Sequence, residues 1–231
     1  MIPFPFQTGG LGLVGEPGSS SGGADPFYAN VVSLLHFDGA DGSTTFTDEK
    51  GVVWTASGNA QIDTSESKFG GSSLLLDGVN DMITAVSSAI WGFGTADWTV
   101  ECFMRRVNSG GVIWDNRLAG GQPMVAFTDA SGFICFYDGS TKTGTGVVAA
   151  NTWHHVAWCR VASTLRMFVD GVQAFSSAYA NNMDASRPMR IGQDIANNAD
   201  FQGWIDEWRV TKGVGRYTGA FTPPTAAFPN F

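Results

Sequence analysis

Charge is scarce in this chain: of 231 residues only 13 are Lys or Arg and 21 Asp or Glu, 15% together, against roughly a quarter in an average soluble domain. The cations form no cluster, and a net charge of -8 repels a phosphate backbone, so nucleic acid is not an expected partner. Long hydrophobic runs are also missing. No stretch approaches the ~20 apolar residues that cross a bilayer, and membrane insertion is not expected. The opening MIPFPFQTGG carries no basic n-region and is broken by Pro3, Pro5, Gly9 and Gly10, which does not read as a signal peptide. Cysteine is limited to Cys102, Cys135 and Cys159, each in an apolar run. No C-x-x-C or Cys/His spacing suggests zinc, and buried free thiols are expected.

Nucleophile and nucleotide signatures are lacking too. There is no G-x-S-x-G elbow and no Gly-rich loop leading into a helix. His154 and His155 are consecutive on a strand, so one belongs in the core and the other at the surface; His36 reads as a strand-end residue beside the Phe37-Asp38-Gly39 turn.

Apolar residues make up 43%, aromatics 13%, and 30 glycines are scattered at turn-like spacing with no G-X-Y period. This favours a turn-rich all-β fold. Residues 1–29 stand apart: apolar islands at Ile2, Phe4, Phe6, Leu11, Leu13 and Val14 are separated by Gly, Pro and Ser and cannot form a core of their own. They read as an extended arm that docks onto another chain, with folding back onto its own domain as the alternative. Residues 30–231 read as one domain with strands near 31–37, 52–56, 73–76, 82–85, 98–106, 111–115, 124–128, 133–137, 153–161, 165–169, 172–176, 189–192 and 203–210. In 98–106, Trp98, Val100, Cys102 and Met104 share one face, and Thr99, Glu101, Phe103 and Arg105 the other. Residues 153–177 read as a meander whose second turn, Asp170-Gly171, suits type I′. Strict alternation in GWIDEWRV puts Trp204, Asp206 and Trp208 opposite Ile205, Glu207 and Arg209, so Asp206 and Glu207 could not share a substrate. The Pro-rich FTPPTAAFPNF is expected to pack along the sandwich.

Taken in order, LLHFDG, SKFGGSSLLLDGVNDMI, FGTADWTVECFMR, NTWHHVAWCR, LRMFVDG and FQGWIDEWRVTKGVGRY resemble the laminin G-like group of concanavalin A-like jelly rolls, from about Leu34 to Tyr217. Phe103 departs from the pattern, standing where a Trp is common. The resemblance implies two antiparallel sheets face to face, with the N- and C-terminal strands adjacent. Hydrolases of this group place paired carboxylates as E-x-D-x-x-E; that motif is absent here, and no enzyme is expected. The resemblance leaves calcium as the one cofactor, mapped to Asp206 with help from Asp38, the loop 77–81 being a second candidate. The competing reading of Asp206 is a buried carboxylate accepting backbone N–H bonds or pairing with Arg209 or Arg105. Sugar-binding faces need flat aromatics at loop tips, and Trp91, Trp114 and Tyr137 lie nearest the expected turns, whereas Trp98, Trp153, Trp158 and Trp204 read as core.

The resemblance leaves function to be argued from sites. A fold that works mostly outside cells, a start Met without an export signal and a docking arm combine in one expectation: a phage virion protein. It would be a head decoration or tail appendage, made in the host cytoplasm and released by lysis. Its arm would join it to other virion proteins, as a homo-oligomer, and its jelly roll would face host-surface glycan. The alternative is a cellular laminin G-like carbohydrate-binding or adhesion domain.

Overall fold

The computed structural model describes residues 23–107, 110–117, 124–183 and 186–231. The docking residues expected in the arm, Ile2, Phe4, Phe6, Leu11 and Leu13, lie outside the described residues. Fifteen strands are described: β1 (Val31–Leu35), β2 (Trp54–Ser57), β3 (Gln61–Asp63), β4 (Ser73–Asp77), β5 (Met82–Ser88), β6 (Trp98–Arg106), β7 (Val112–Asp115), β8 (Val125–Thr128), β9 (Phe133–Tyr137), β10 (Thr141–Val147), β11 (His154–Val161), β12 (Thr164–Val169), β13 (Val172–Ala178), β14 (Arg187–Ile191) and β15 (Gln202–Lys212). They form two antiparallel sheets. One has eight strands, in the order β13-β12-β11-β6-β15-β4-β3, with β1 also on β15; the other runs β10-β9-β8-β7-β14-β5-β2. This is the jelly-roll sandwich expected from the sequence, with the first strand, β1, pairing with the last, β15.

The core between the sheets follows the alternation. Trp98, Val100, Cys102 and Met104 of β6 are all fully buried in it. Trp98 and Trp114 meet edge to face at 6.3 Å, and Trp114 and Trp158 at 5.9 Å. All three cysteines are buried and free. The turn between β12 and β13 is built as its sequence requires, with Asp170 at φ 49° and Gly171 at φ 76°. Strands β3 and β10 were not expected. In β10, Gly144 and Gly146 let the strand close the sandwich edge: a Cβ on Gly146 would come within 2.8 Å of Val169 and 2.9 Å of Ala174.

The outer face of the eight-stranded sheet is covered by the chain's own ends. Phe228 packs with Val31, Leu34 and Phe103, and the Arg209 guanidinium lies 3.8 Å over its ring. Tyr217 and Phe221 stack at 3.6 Å and pack against Phe168. Beneath them Glu101 is fully buried, its carboxylate taking Arg209 at 2.9 Å, His155 Nε2 at 3.1 Å and the Tyr217 hydroxyl at 2.6 Å. Asp25 bridges Arg209 at 3.1 Å and Arg216 at 2.6 Å, and its N–H donates to the Phe231 carbonyl. Burial alone would raise the Glu101 carboxyl, but Arg209, His155 and Arg216 outweigh it and hold the group well below the ordinary carboxylate range. His155 is thus buried, but on the outer face beneath the tail and not in the core between the sheets as expected, and His154 is partly exposed against Asp170 at 2.6 Å.

Candidate functional site

One local distortion decides which side chains face out. In β15 the pairing with β6 shifts between Asp206 and Arg209, and Glu207 adopts φ 52°, so a β-bulge inserts one extra outward residue. Ile205, Trp208 and Val210 enter the core, while Trp204 lies on the opposite face with Asp206. Strict alternation paired Trp204 with Trp208; the bulge separates them. It also corrects the reading that Asp206 and Glu207 oppose each other, since both point away from the core and both are buried.

Register then defines an outward row. Gln61 lies opposite Leu75, Leu75 opposite Trp204, and Trp204 opposite Arg105. Trp153, one residue before His154 and therefore next in the His154–Met104 register, extends the row past Arg105. All five residues are partly exposed. The Trp204 indole N–H donates to Asp63 at 2.6 Å, and the Arg105 guanidinium sits 5.0 Å over its ring. Arg105 also pairs with Glu66 at 3.3 Å. Trp204 is thereby fixed at its edge and over one face. Two strand spacings, about 10 Å, separate the Trp204 and Trp153 positions. Such a platform of oriented aromatics with polar neighbours can stack on sugar rings and take hydrogen bonds from hydroxyls.

The aromatics expected to bind sugar are placed differently. Trp91 and Trp114 are both 0% exposed, packed on Trp54 and on Trp98 and Trp158 respectively. Trp91 ends a short 3-10 turn after β5 and Trp114 lies within β7, and both rings turn into the core, so neither can meet a ligand. Tyr137 is half-exposed on the outer side of the seven-stranded sheet, opposite Val125 and Thr141. Arg190 and Asp115 lie in the same row, each tied to neighbouring loops: Asp115 holds Arg117 and the Ile195 N–H, and Arg190 donates to the Asp194 carbonyl. Trp153 and Trp204, read from alternation as core, are the ones that reach the surface.

The proposed metal residues converge on one loop. Asp206 Oδ2 accepts the Lys68 and Phe69 N–H groups at 2.7 and 3.0 Å, and Oδ1 accepts the Glu207 N–H at 2.8 Å. Asp38 is exposed and lies against Gly70, where a Cβ would collide with its carboxylate. Glu207 is engaged by His36 at 2.9 Å and by the Phe228 N–H at 2.7 Å. Among the described residues no group of three or more His, Cys, Asp or Glu is placed so that it could hold a metal ion. A carboxylate facing three N–H donors offers little to a cation that wants six to eight oxygens, so this donor set does not fit calcium. The second candidate is similar: Asp81 is buried and accepts the Asp77 and Asn59 N–H groups. Burial pushes the Asp206 carboxyl up to about 7 against the pull of its N–H donors. Burial would lower the His36 pKa, but Glu207 raises it overall.

The family model described as the concanavalin A-like lectin/glucanases superfamily matches residues 77–214, more than half of the sequence. The chain belongs to that superfamily. No curated protein matches it. Among solved structures, domain 4 of AbnA, an extracellular GH43 arabinanase of Geobacillus stearothermophilus in complex with arabinotriose, is similar with TM-score 0.63 and 16% identity, over 84% of this chain and 95% of that one. The binding domain of Paraclostridial Mosquitocidal Protein 1 gives 0.65 and 13%, over 82% of this chain and 51% of that one. Trypanosoma rangeli sialidase in complex with sialic acid gives 0.60 and 14%, over 81% and 32%. The chain therefore spans about half of the second and a third of the third. At these identities the likeness shows the concanavalin A-like fold alone, and that fold serves enzymes and binding domains alike. Among the described residues no helix is long and apolar enough to cross a membrane.

Proposed function

We propose that this concanavalin A-like domain is a non-enzymatic, lectin-like module that binds glycan across the row of Gln61, Leu75, Trp204, Arg105 and Trp153. The observation that carries the reading is Trp204: a partly exposed indole, oriented by Asp63 and Arg105, on a face whose remainder is sealed by Tyr217, Phe221 and Phe228. The best-formed carboxylate pair, Asp206 and Glu207, is occupied by backbone N–H groups and His36, which supports binding over hydrolysis. The likeness to a domain seen with arabinotriose and to a toxin binding domain supports the same reading.

The finer part of the proposal is a phage virion role, as head decoration or tail appendage, with the module displayed toward host glycan. Its support is the composition of residues 1–22, whose apolar islands on a Gly/Ser-rich tether suit docking to other virion proteins. The test has two parts. Wild-type chain and Trp204→Ala are screened on an array of neutral and acidic glycans; binding by the wild type, lost in the variant, is expected, and equal binding by both would reject the site. A chain starting at Gly23 is expected to keep glycan binding and lose attachment to particles; retained attachment would reject the anchor.

A further inference from the structure

The charges around the outward row are unevenly placed, and this bears on what it can hold. Three carboxylates border it: Asp63 at the indole N–H, Glu66 on Arg105, and Asp77 opposite Gln202, two residues from Trp204 along β15. Two cations lie near: Arg105, paired with a carboxylate, and Lys68, which is exposed and keeps its charge toward solvent. Arg105 is held between Glu66 at 3.3 Å and the Trp204 ring at 5.0 Å. Lys68 sits over the Phe69 and Phe103 rings at 5.5 and 5.2 Å. Glu66 keeps 34% of its side chain exposed, so its carboxylate remains open to a ligand. Burial tends to raise the Asp63 carboxyl, but hydrogen bonds from Ser65 and the Trp204 N–H bring it below its ordinary value, and it stays ionised at neutral pH. The row therefore offers acceptors in excess, on a chain of net charge -8.

We propose that this row selects saccharides without acidic groups, its carboxylates taking hydroxyl hydrogens while Trp204 and Trp153 stack on the rings; this rests on the lectin-like reading above. A hydroxyl donating to a carboxylate makes a charge-assisted bond at no cost in repulsion. A sialic or uronic acid carboxylate meets three like charges against two cations, and of these the Arg105 guanidinium must first leave Glu66, which leaves the exposed Lys68 ammonium as its counter-charge. Like-charge juxtaposition of this kind disfavours the acidic ligand, strongly when shielded from water and less at a half-exposed face.

The test uses matched pairs that differ in the charge of the acid alone: sialyllactose with its methyl ester, and oligogalacturonates with their methyl esters, titrated calorimetrically into the full chain at low and high salt. The neutral member of the recognised pair is expected to bind roughly tenfold or more tightly than its acidic partner. Added salt should narrow the gap. Glu66→Gln, a change at an accessible side chain, should narrow it further by releasing Arg105; circular dichroism of this variant checks its fold. Equal or tighter binding of the acidic members to the wild type would overturn the selectivity while leaving the lectin reading in place. Failure of every glycan on the array and in these titrations to bind would overturn both.

Discussion

Replacing Glu101 by Gln tests whether the outer face is sealed by a buried ionic layer. Gln keeps the shape and one acceptor but removes the charge that Arg209 at 2.9 Å, His155 at 3.1 Å and the Tyr217 hydroxyl at 2.6 Å converge on. Asp25 is then the remaining carboxylate for Arg209 and Arg216. Removing one partner of a buried pair costs about 3–5 kcal/mol, and retention of an amide acceptor places this change near the lower end. For a domain of this size, ~3 kcal/mol lowers Tm by roughly 6–12 °C. The pH dependence supplies a second signature. Because the folded Glu101 carboxyl lies below its ordinary 4.5, its stabilisation is fully present above that value and lost as pH falls through the folded pKa. The deficit of Glu101→Gln should therefore be largest near neutrality and narrow steadily as pH falls below 4.5. Thermal melts followed by circular dichroism from pH 3 to 8 read both. A loss under about 1 kcal/mol at pH 7 is the size of an exposed ion pair, and would refute a desolvated network beneath the tail.

Three further outcomes follow from the same geometry. Gly146→Ala, forced within 2.8 Å of Val169 and 2.9 Å of Ala174, should lose about 1–3 kcal/mol in urea unfolding; an unchanged midpoint would mean that β10 does not close the edge so tightly. Asp206 holds its proton up to about 7 when folded, so its contribution is fully present below its ordinary 3.8 and falls as pH rises toward 7; Asp206→Asn should gain stability relative to wild type over that window, and parallel profiles would contradict the burial. Cys102 and Cys159 are buried with their thiols pushed up by burial, Cys159 to about 11, and should resist maleimide at pH 7 until the chain unfolds; rapid native labelling of either would place it at the surface.

The frame of this fold is readable in the sequence because the expected strands carry period-two patterns or short apolar runs between turn residues. Strand β6 shows its inside directly in Trp98, Val100, Cys102 and Met104. Strand β10 is hidden because TKTGTGV carries glycines where close approach forbids side chains, and this composition reads as a loop. The site was less legible. Alternation assigns faces only while the register holds, and the bulge at Glu207 moves Trp208 inward relative to Trp204 with no glycine or proline to announce it. Trp91 and Trp114 show the converse: nearness to a turn in sequence says nothing about which way a ring points. The signal for Trp204 was present in the pairing of strands, since Arg105 was already assigned to the outer face of β6 and Trp204 lies opposite it. The tail could be expected to pack on the sandwich, but its partners, Phe103, Phe168 and Arg209, come from three different strands and emerge only from the topology.

The most direct measurement is the affinity of wild type, Trp204→Ala and Tyr137→Ala for the strongest glycan found on the array, by titration calorimetry at one salt concentration. If the outward row of the eight-stranded sheet is the binding face, Trp204→Ala weakens binding by roughly 30-fold or more, the effect of an aromatic anchor worth ~2 kcal/mol, while Tyr137→Ala leaves it unchanged. Loss of binding in Tyr137→Ala with Trp204→Ala unaffected would place the ligand on the seven-stranded sheet and contradict the account.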